Sequence, residues 1–103
     1  MKESIRANLE STRDRFEEVS GLLSDPDVIG DQNQFRELSK EYARLEPVMQ
    51  LFKRYEEMSD DIAAAEEMAN DSDDEVREMG EEELLSLTEK REALQLELQK
   101  SLI

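Results

Sequence analysis

The chain has 103 residues, and its 28 aspartates and glutamates outnumber its 13 lysines and arginines to give a net charge of −15. This charge repels phosphate backbones and argues against an ordinary nucleic-acid-binding surface. The sequence has no cysteine and no histidine, which excludes disulfides, thiolate chemistry and imidazole ligands or bases. With 40% charged residues, three glycines and two prolines, the composition is typical of long amphipathic helices.

The first predicted helix spans about residues 3–23. Its apolar positions step by four and three along one helical face, with Thr12 filling one missing place: Ile5, Leu9, Phe16, Val19, Leu22 and Leu23. The helix must stop at Asp25-Pro26, because proline lacks an N–H and pushes the preceding residue out of the helical region. We expect a turn there.

The second predicted helix spans about residues 33–69, with Asp31 and Gln34 as a capping box. It carries two apolar series, each with steps of three and four. The first series is Phe35, Leu38, Tyr42, Leu45, Met49 and Phe52, and the second is Val48, Leu51, Tyr55, Met58, Ile62, Ala65 and Ala69. At about 100° per residue the two series lie on opposite faces. We therefore expect the first helix to pack on the first series and a third helix to pack on the second.

Pro47 falls where the two series overlap. Either it begins a new helix, with Glu46 as a poor cap, or it kinks a continuous one. The pattern favours the kink, because Pro47 and the carbonyl of Ala43 that it leaves without a donor lie away from the first series, where water can reach them.

The third predicted helix spans about residues 73–101 and begins at a capping box of Ser72 and Glu75. Its apolar positions are Val76, Met79, Leu84, Leu87, Leu94, Leu98 and Leu102, and Arg91 lies in the same register. Folding this helix back predicts that Tyr55 lies near Leu87. The predicted fold is all-α: one domain over residues 1–103, an elongated antiparallel three-helix bundle or coiled-coil hairpin with a long, Pro-kinked middle helix.

An acidic run at Asp71–Glu75, followed by Glu82, imitates a calcium-binding loop. Val76 stands at the sixth position, however, where such a loop needs glycine. A helix cap in a solvated turn is the preferred interpretation. We expect no metal, no cofactor and no catalytic residue, because the sequence offers no candidate nucleophile, base or metal cluster, and we do not expect an enzyme.

Arg36, Lys40 and Arg44 recur every fourth residue and form a cationic line on the second helix. They could neutralise the negative end of the third helix and pair with Glu97. Alternatively, they could form a docking stripe for an acidic partner. The first explanation is preferred, and the second makes these three the candidate partner-binding residues. Three apolar residues, Leu85, Leu96 and Ile103, fall outside the main series and could mark a covered surface.

The stretches Ser24-Asp25-Pro26-Asp27 and Phe35-x-x-Leu38-Ser39-Lys40-Glu41-Tyr42-Ala43 resemble the N-terminal domain of bacterial class I peptide-chain release factors, of the type that reads UAG and UAA. The opening Met1–Ile5, with Leu9-Glu10, Arg15 and Glu17-Glu18, is similar to the start of that family, and a weaker similarity continues through Glu66–Met68 and Glu81–Leu84. The family's catalytic Gly-Gly-Gln loop and codon-reading Pro-x-Thr tripeptide are absent from these residues, so this looks like a domain of a larger protein.

The resemblance implies an auxiliary role in translation termination. In such factors this domain projects toward the ribosomal stalk base and its L11-type protein, and it contributes to recycling by the GTP-binding class II release factor. We expect little direct contact with nucleic acid. We also expect no membrane span and a cytoplasmic location, because no apolar run approaches ~18 residues. The alternative is a free-standing coiled-coil scaffold or adaptor that dimerises through its apolar seams.

Overall fold

Helices make up nearly all of the structure, a computed structural model that describes every residue from Met1 to Ile103. They are α1 (Glu3–Leu22), α2 (Pro26–Ile29), α3 (Gln32–Ala69) and α4 (Asp74–Ser101), and there is no strand. The all-α prediction and the long middle helix are confirmed. The chain divides into two units, Met1–Gln50 and Leu51–Ile103, and α3 contributes to both.

In the first unit, α1 packs on the first apolar series of α3. Val19, Val28 and Leu38 form a buried cluster, and Leu22, Leu23 and Tyr42 pack against it. The ring of Phe16 stacks on that of Tyr42, with the ring centroids 4.8 Å apart, which is a favourable separation for an aromatic pair. The predicted use of this face is therefore confirmed.

The short helix α2 occupies residues that the sequence placed in a turn. Asp25 caps it, because its side chain accepts a hydrogen bond from the backbone N–H of Asp27 at 2.9 Å, and Pro26 suits the first helical position because its φ is already helical. Val28 points inward and is only 4% exposed. The connection between α1 and α3 thus supplies part of the core.

Helix α3 begins at Gln32, close to the predicted start, and Asp31 caps it: the Asp31 carboxylate accepts a hydrogen bond from the N–H of Gln34 at 3.1 Å. It then continues through Pro47 without interruption. A new helix beginning at Pro47 is ruled out. Both Pro47 and Ala43 are exposed, so water can reach the carbonyl of Ala43.

In the second unit, the cap of α4 is Asp73 and not Ser72. The Asp73 carboxylate accepts hydrogen bonds from the N–H groups of Glu75 at 2.9 Å and Val76 at 3.5 Å. The N–H of Asp73 in turn donates to Asp71 Oδ1 at 2.8 Å. Serine and aspartate are both favourable caps, so the sequence could not decide between neighbouring candidates.

Gly80 sets how closely α4 approaches the end of α3. It is buried, and a Cβ there would lie 2.5 Å from the backbone N of Ala69 and 2.7 Å from the carbonyl carbon of Met68. Tyr55 and Leu94 lie equally far along their helices from this contact, since both helices rise by about 1.5 Å per residue. Tyr55 is thus level with Leu94, and the predicted proximity of Tyr55 to Leu87 is wrong by about two helical turns.

The burial pattern of the second unit agrees with this register. The buried apolar residues are Phe52, Tyr55, Ile62 and Ala65 on α3, and Leu94 and Leu98 on α4. Arg91 is half-buried in the register of α4, as expected, whereas Met79 is 61% exposed. Gly80 takes the position on the packed face that the sequence pattern assigned to Met79.

Candidate functional site

The three cations singled out in the sequence all lie exposed on the first half of α3. Lys40 Nζ is 3.5 Å from Glu37 Oε1, and both side chains are mostly exposed, so water screens this pair strongly. Arg36 has no carboxylate within ion-pair distance. The cationic line therefore faces solvent and keeps most of its charge available.

Two surface grooves flank this line and divide it. The first, which we call the apolar-basic groove, is lined by Ile29, Gln32, Phe35, Arg36, Ser39 and Lys40. The second, the Arg15 groove, is lined by Arg15, Gln34, Glu37, Leu38, Lys40, Glu41 and Arg44. Lys40 borders both grooves. Arg36 and Lys40 thus line the same groove. Arg44 lines the other groove together with Arg15 of α1, which the sequence analysis did not select.

Arg15 joins α1 to α3 through a two-pronged ion pair with Glu41. Its Nε and Nη2 donate to the two carboxylate oxygens of Glu41, each at 2.7 Å, and it also pairs with Glu18 on its own helix. This fork geometry is the strongest arrangement of arginine with a carboxylate. Since the pair lies beside the stack of Phe16 on Tyr42 along both helices, it helps to fix α1 on α3.

The charges around this pair shift the titration of its members. Hydrogen bonds from Arg15 hold the pKa of Glu41 below its usual value, and the positive charges of Arg15 and Arg44 act in the same direction. The same hydrogen bonds raise the pKa of Arg15. The nearby negative charge of Glu46 raises the pKa of Tyr42. Around neutral pH, Arg15 and Glu41 are therefore charged and Tyr42 is neutral.

The carboxylates considered above as calcium ligands serve the local backbone. Asp71 and Asp73 accept backbone hydrogen bonds at the start of α4, and no group of three or more acidic residues is arranged to hold a metal ion. No buried side-chain nitrogen or oxygen lacks a hydrogen-bond partner. The two grooves present charged and apolar side chains to solvent.

A comparison with protein families shows which family the chain belongs to. The model of the PCRF domain matches residues 12–103, which is most of the chain. The chain belongs to the PCRF family. The PCRF domain is a non-catalytic, N-terminal part of peptide chain release factors, so it has a release-factor role in translation termination. No solved structure matches the chain. None of its helices is both long enough and apolar enough to cross a bilayer.

The residues that carry the family resemblance build the core of the first unit and one side of the apolar-basic groove. In the motif that runs from Phe35 to Ala43, Leu38 and Tyr42 point into the core and Glu41 bonds Arg15. Three of its other marked side chains line the apolar-basic groove: Phe35, Ser39 and Lys40. The motif thus combines residues that hold the PCRF domain together with residues that it presents to solvent.

Proposed function

We propose that this PCRF domain is the auxiliary N-terminal domain of a larger class I release factor of the UAG- and UAA-reading type, acting in the cytoplasm. In this role it assists stop-codon-dependent hydrolysis of peptidyl-tRNA, while another domain of the factor carries the catalytic loop. The observation that supports this proposal is the PCRF match over residues 12–103. No group of three or more acidic residues in the domain is arranged to hold a metal ion.

The domain assists by docking on protein at the ribosomal stalk base, and the L11-type protein is the proposed contact. It also supports recycling by the class II release factor. The net charge of −15 favours protein over RNA as the contacted surface. The cationic line of Arg36, Lys40 and Arg44 is the clustered positive field on this acidic body, and complementary charge mainly governs the rate of encounter.

The test reverses the charge of the cationic line in the full-length factor. We expect the triple variant Arg36→Glu, Lys40→Glu and Arg44→Glu to associate with ribosomes paused at a stop codon about tenfold more slowly at low salt. The rate should also depend less on salt concentration. Peptide release at saturating factor should be almost unchanged, because the catalytic loop lies elsewhere. Stopped-flow association and single-turnover release measure the two quantities separately.

A matched control carries the same change of charge elsewhere on the domain. Lys53, Arg54 and Lys90 are exposed, and reversing all three to glutamate alters the net charge equally without touching the cationic line. This control should associate at nearly the wild-type rate. A folded Arg36, Lys40 and Arg44 variant with wild-type association at low salt would contradict the docking role of the line.

A simpler observation tests the larger assignment. An open reading frame that continues past Ile103 into a Gly-Gly-Gln loop supports the release-factor proposal. A frame without that loop would contradict it and favour a scaffold protein. In either case, the 103-residue chain alone should release no peptide.

A further inference from the structure

Two large apolar side chains are exposed together at the junction of α2 and α3. Ile29 is 54% exposed and Phe35 is 39% exposed, and both line the apolar-basic groove. Phe35 is the exposed member of the chain's five aromatic residues, since the others are buried or half-buried. The sequence pattern assigned Phe35 to the core, and this assignment is wrong: Phe35 lies at the surface, in the first turn of α3.

The apolar-basic groove is also free of acidic side chains. None of the residues that line it is an aspartate or a glutamate, and two of them, Arg36 and Lys40, are cations. The Arg15 groove, by contrast, includes Glu37 and Glu41. The chain as a whole has a charge of −15, whereas this groove carries positive charge and exposed apolar side chains.

The groove is built on ordered elements. Val28 and Leu38, the chain neighbours of Ile29 and Ser39, belong to the same buried cluster as Val19. The first turns of α2 and α3 are fixed by the caps at Asp25 and Asp31. A surface held in this way loses little conformational entropy when a partner binds.

We propose that the apolar-basic groove is a docking site for an acidic segment of a partner protein that carries apolar side chains between its carboxylates. Its apolar side chains would cover Ile29 and Phe35, which removes apolar surface from water. Its carboxylates would face Arg36 and Lys40, and Arg36 would gain its first carboxylate partner. The inference rests on the proposed function for its biological setting, since it names the chemistry of the partner that the domain would dock on.

Two other occupants are less well matched. An RNA strand offers phosphates to Arg36 and Lys40, but the high negative charge of the domain repels its backbone. A second copy of the chain offers Met79 and Leu85, which are exposed near the carboxylates of Glu81–Glu83. That copy would also bring a further net charge of −15, which opposes association.

The binding test uses the 103-residue chain and short fluorescent probes. The main probe is a peptide of repeating Glu-Glu-Leu-Leu. Its controls are a Glu-Glu-Ser-Ser peptide, a Lys-Lys-Leu-Leu peptide and a single-stranded RNA of similar length. We expect the first peptide to bind at least about tenfold more tightly than each control, a difference of about 1.4 kcal/mol. Amide NMR shifts should change chiefly between Ile29 and Lys40.

Variants of the chain separate the contribution of charge from that of apolar contact. Arg36→Glu with Lys40→Glu should weaken binding of the Glu-Glu-Leu-Leu peptide about tenfold or more, whereas Lys53→Glu with Arg54→Glu should change it less than about twofold. Phe35→Ser and Ile29→Ser should each weaken it several-fold. Leu85→Ser removes an exposed leucine elsewhere and should have no effect. Ile29→Ser keeps the test valid if Phe35→Ser unfolds the chain.

Three results would overturn the inference. They are equal binding of the leucine and serine peptides, stronger binding of the RNA, and self-association of the chain that Ile29→Ser abolishes. Peptide binding requires no ribosome, so its failure alongside normal termination by the parent factor would refute only the groove. Normal peptide binding by a protein that does not act in termination would refute only the proposed function.

Discussion

Replacing Gly80 by alanine tests the close approach of α4 to the end of α3. Alanine is favoured over glycine within a helix by about 1 kcal/mol. By propensity alone, Gly80→Ala should therefore stabilise the fold. The added Cβ would lie 2.5 Å from the backbone N of Ala69 and 2.7 Å from two atoms of Met68, whereas carbon atoms in favourable contact are about 3.5–4.0 Å apart.

The helices must separate by about 1 Å to restore a normal contact. Two of the three nearest atoms belong to the backbone and cannot rotate away as a flexible side chain could. Overpacking of this kind typically costs about 1–3 kcal/mol. After the gain in helix propensity is subtracted, we expect a net loss of up to about 2 kcal/mol. For a domain of this size the melting temperature should fall by up to roughly 15 °C.

Gly21 provides the matched control, because it also lies within a helix but a Cβ there would meet no atom within 4 Å. Gly21→Ala should raise stability by up to about 1 kcal/mol, toward the lower end because Gly21 lies in the last turn of α1. Urea and thermal unfolding followed by circular dichroism at the helical band measure both variants. If Gly80→Ala were as stable as Gly21→Ala, the close contact and the register derived from it would be wrong.

Three further predictions follow from the same structure. Tyr42→Ala should release chiefly α1, whereas Tyr55→Ala should release chiefly α4 and, because Tyr55 is buried, should lower the free energy of unfolding by about 3 kcal/mol. If amide hydrogen exchange showed that both variants release the same helix, the two packed faces of α3 would be refuted. Because hydrogen bonds from Arg15 lower the pKa of Glu41, Glu41→Gln should reduce the melting temperature at neutral pH. This difference should shrink as the pH falls below the ordinary glutamate value of 4.5, and a difference that grew in acid would show that the ion pair does not stabilise the fold. Moderate salt should raise the melting temperature, since crowded carboxylates repel one another; a fall would mean that attractive pairs dominate.

The long helices could be predicted because their apolar residues repeat with a helical period. The stripe from Ile5 to Leu22 and the two series on α3 needed no other information. Short elements lack that signal, and α2 is only four residues long, so its contribution of Val28 to the core was missed. Periodicity also predicts which face of a helix is packed, but it does not predict where along that face the packing helix ends. For that reason Phe35 continued a buried series in the sequence and yet lies at the surface.

The register of α4 was missed for a similar reason. Counting back from the turn assumes that paired helices end level with each other, whereas the contact of Gly80 with Met68 and Ala69 sets the actual level. A glycine inside a helical pattern is a recognised sign of close backbone approach, and this sign could have been used. The cationic line could be predicted from the spacing of its residues alone. The apolar-basic groove could not be predicted in this way, because Ile29 joins Arg36 and Lys40 there from another helix.

Peptide release by the full-length factor, with and without residues 1–103, tests the central claim most directly. Ribosomes carrying a labelled peptidyl-tRNA at UAG, UAA or a sense codon are mixed with each protein, and the hydrolysed peptide is measured over time. We predict release at UAG and UAA only, with the truncated protein slower at low concentration and closer to wild type at saturation. Absence of stop-codon-dependent release by the full-length protein would contradict the central claim, as would a truncated protein that released peptide at the wild-type rate at low concentration.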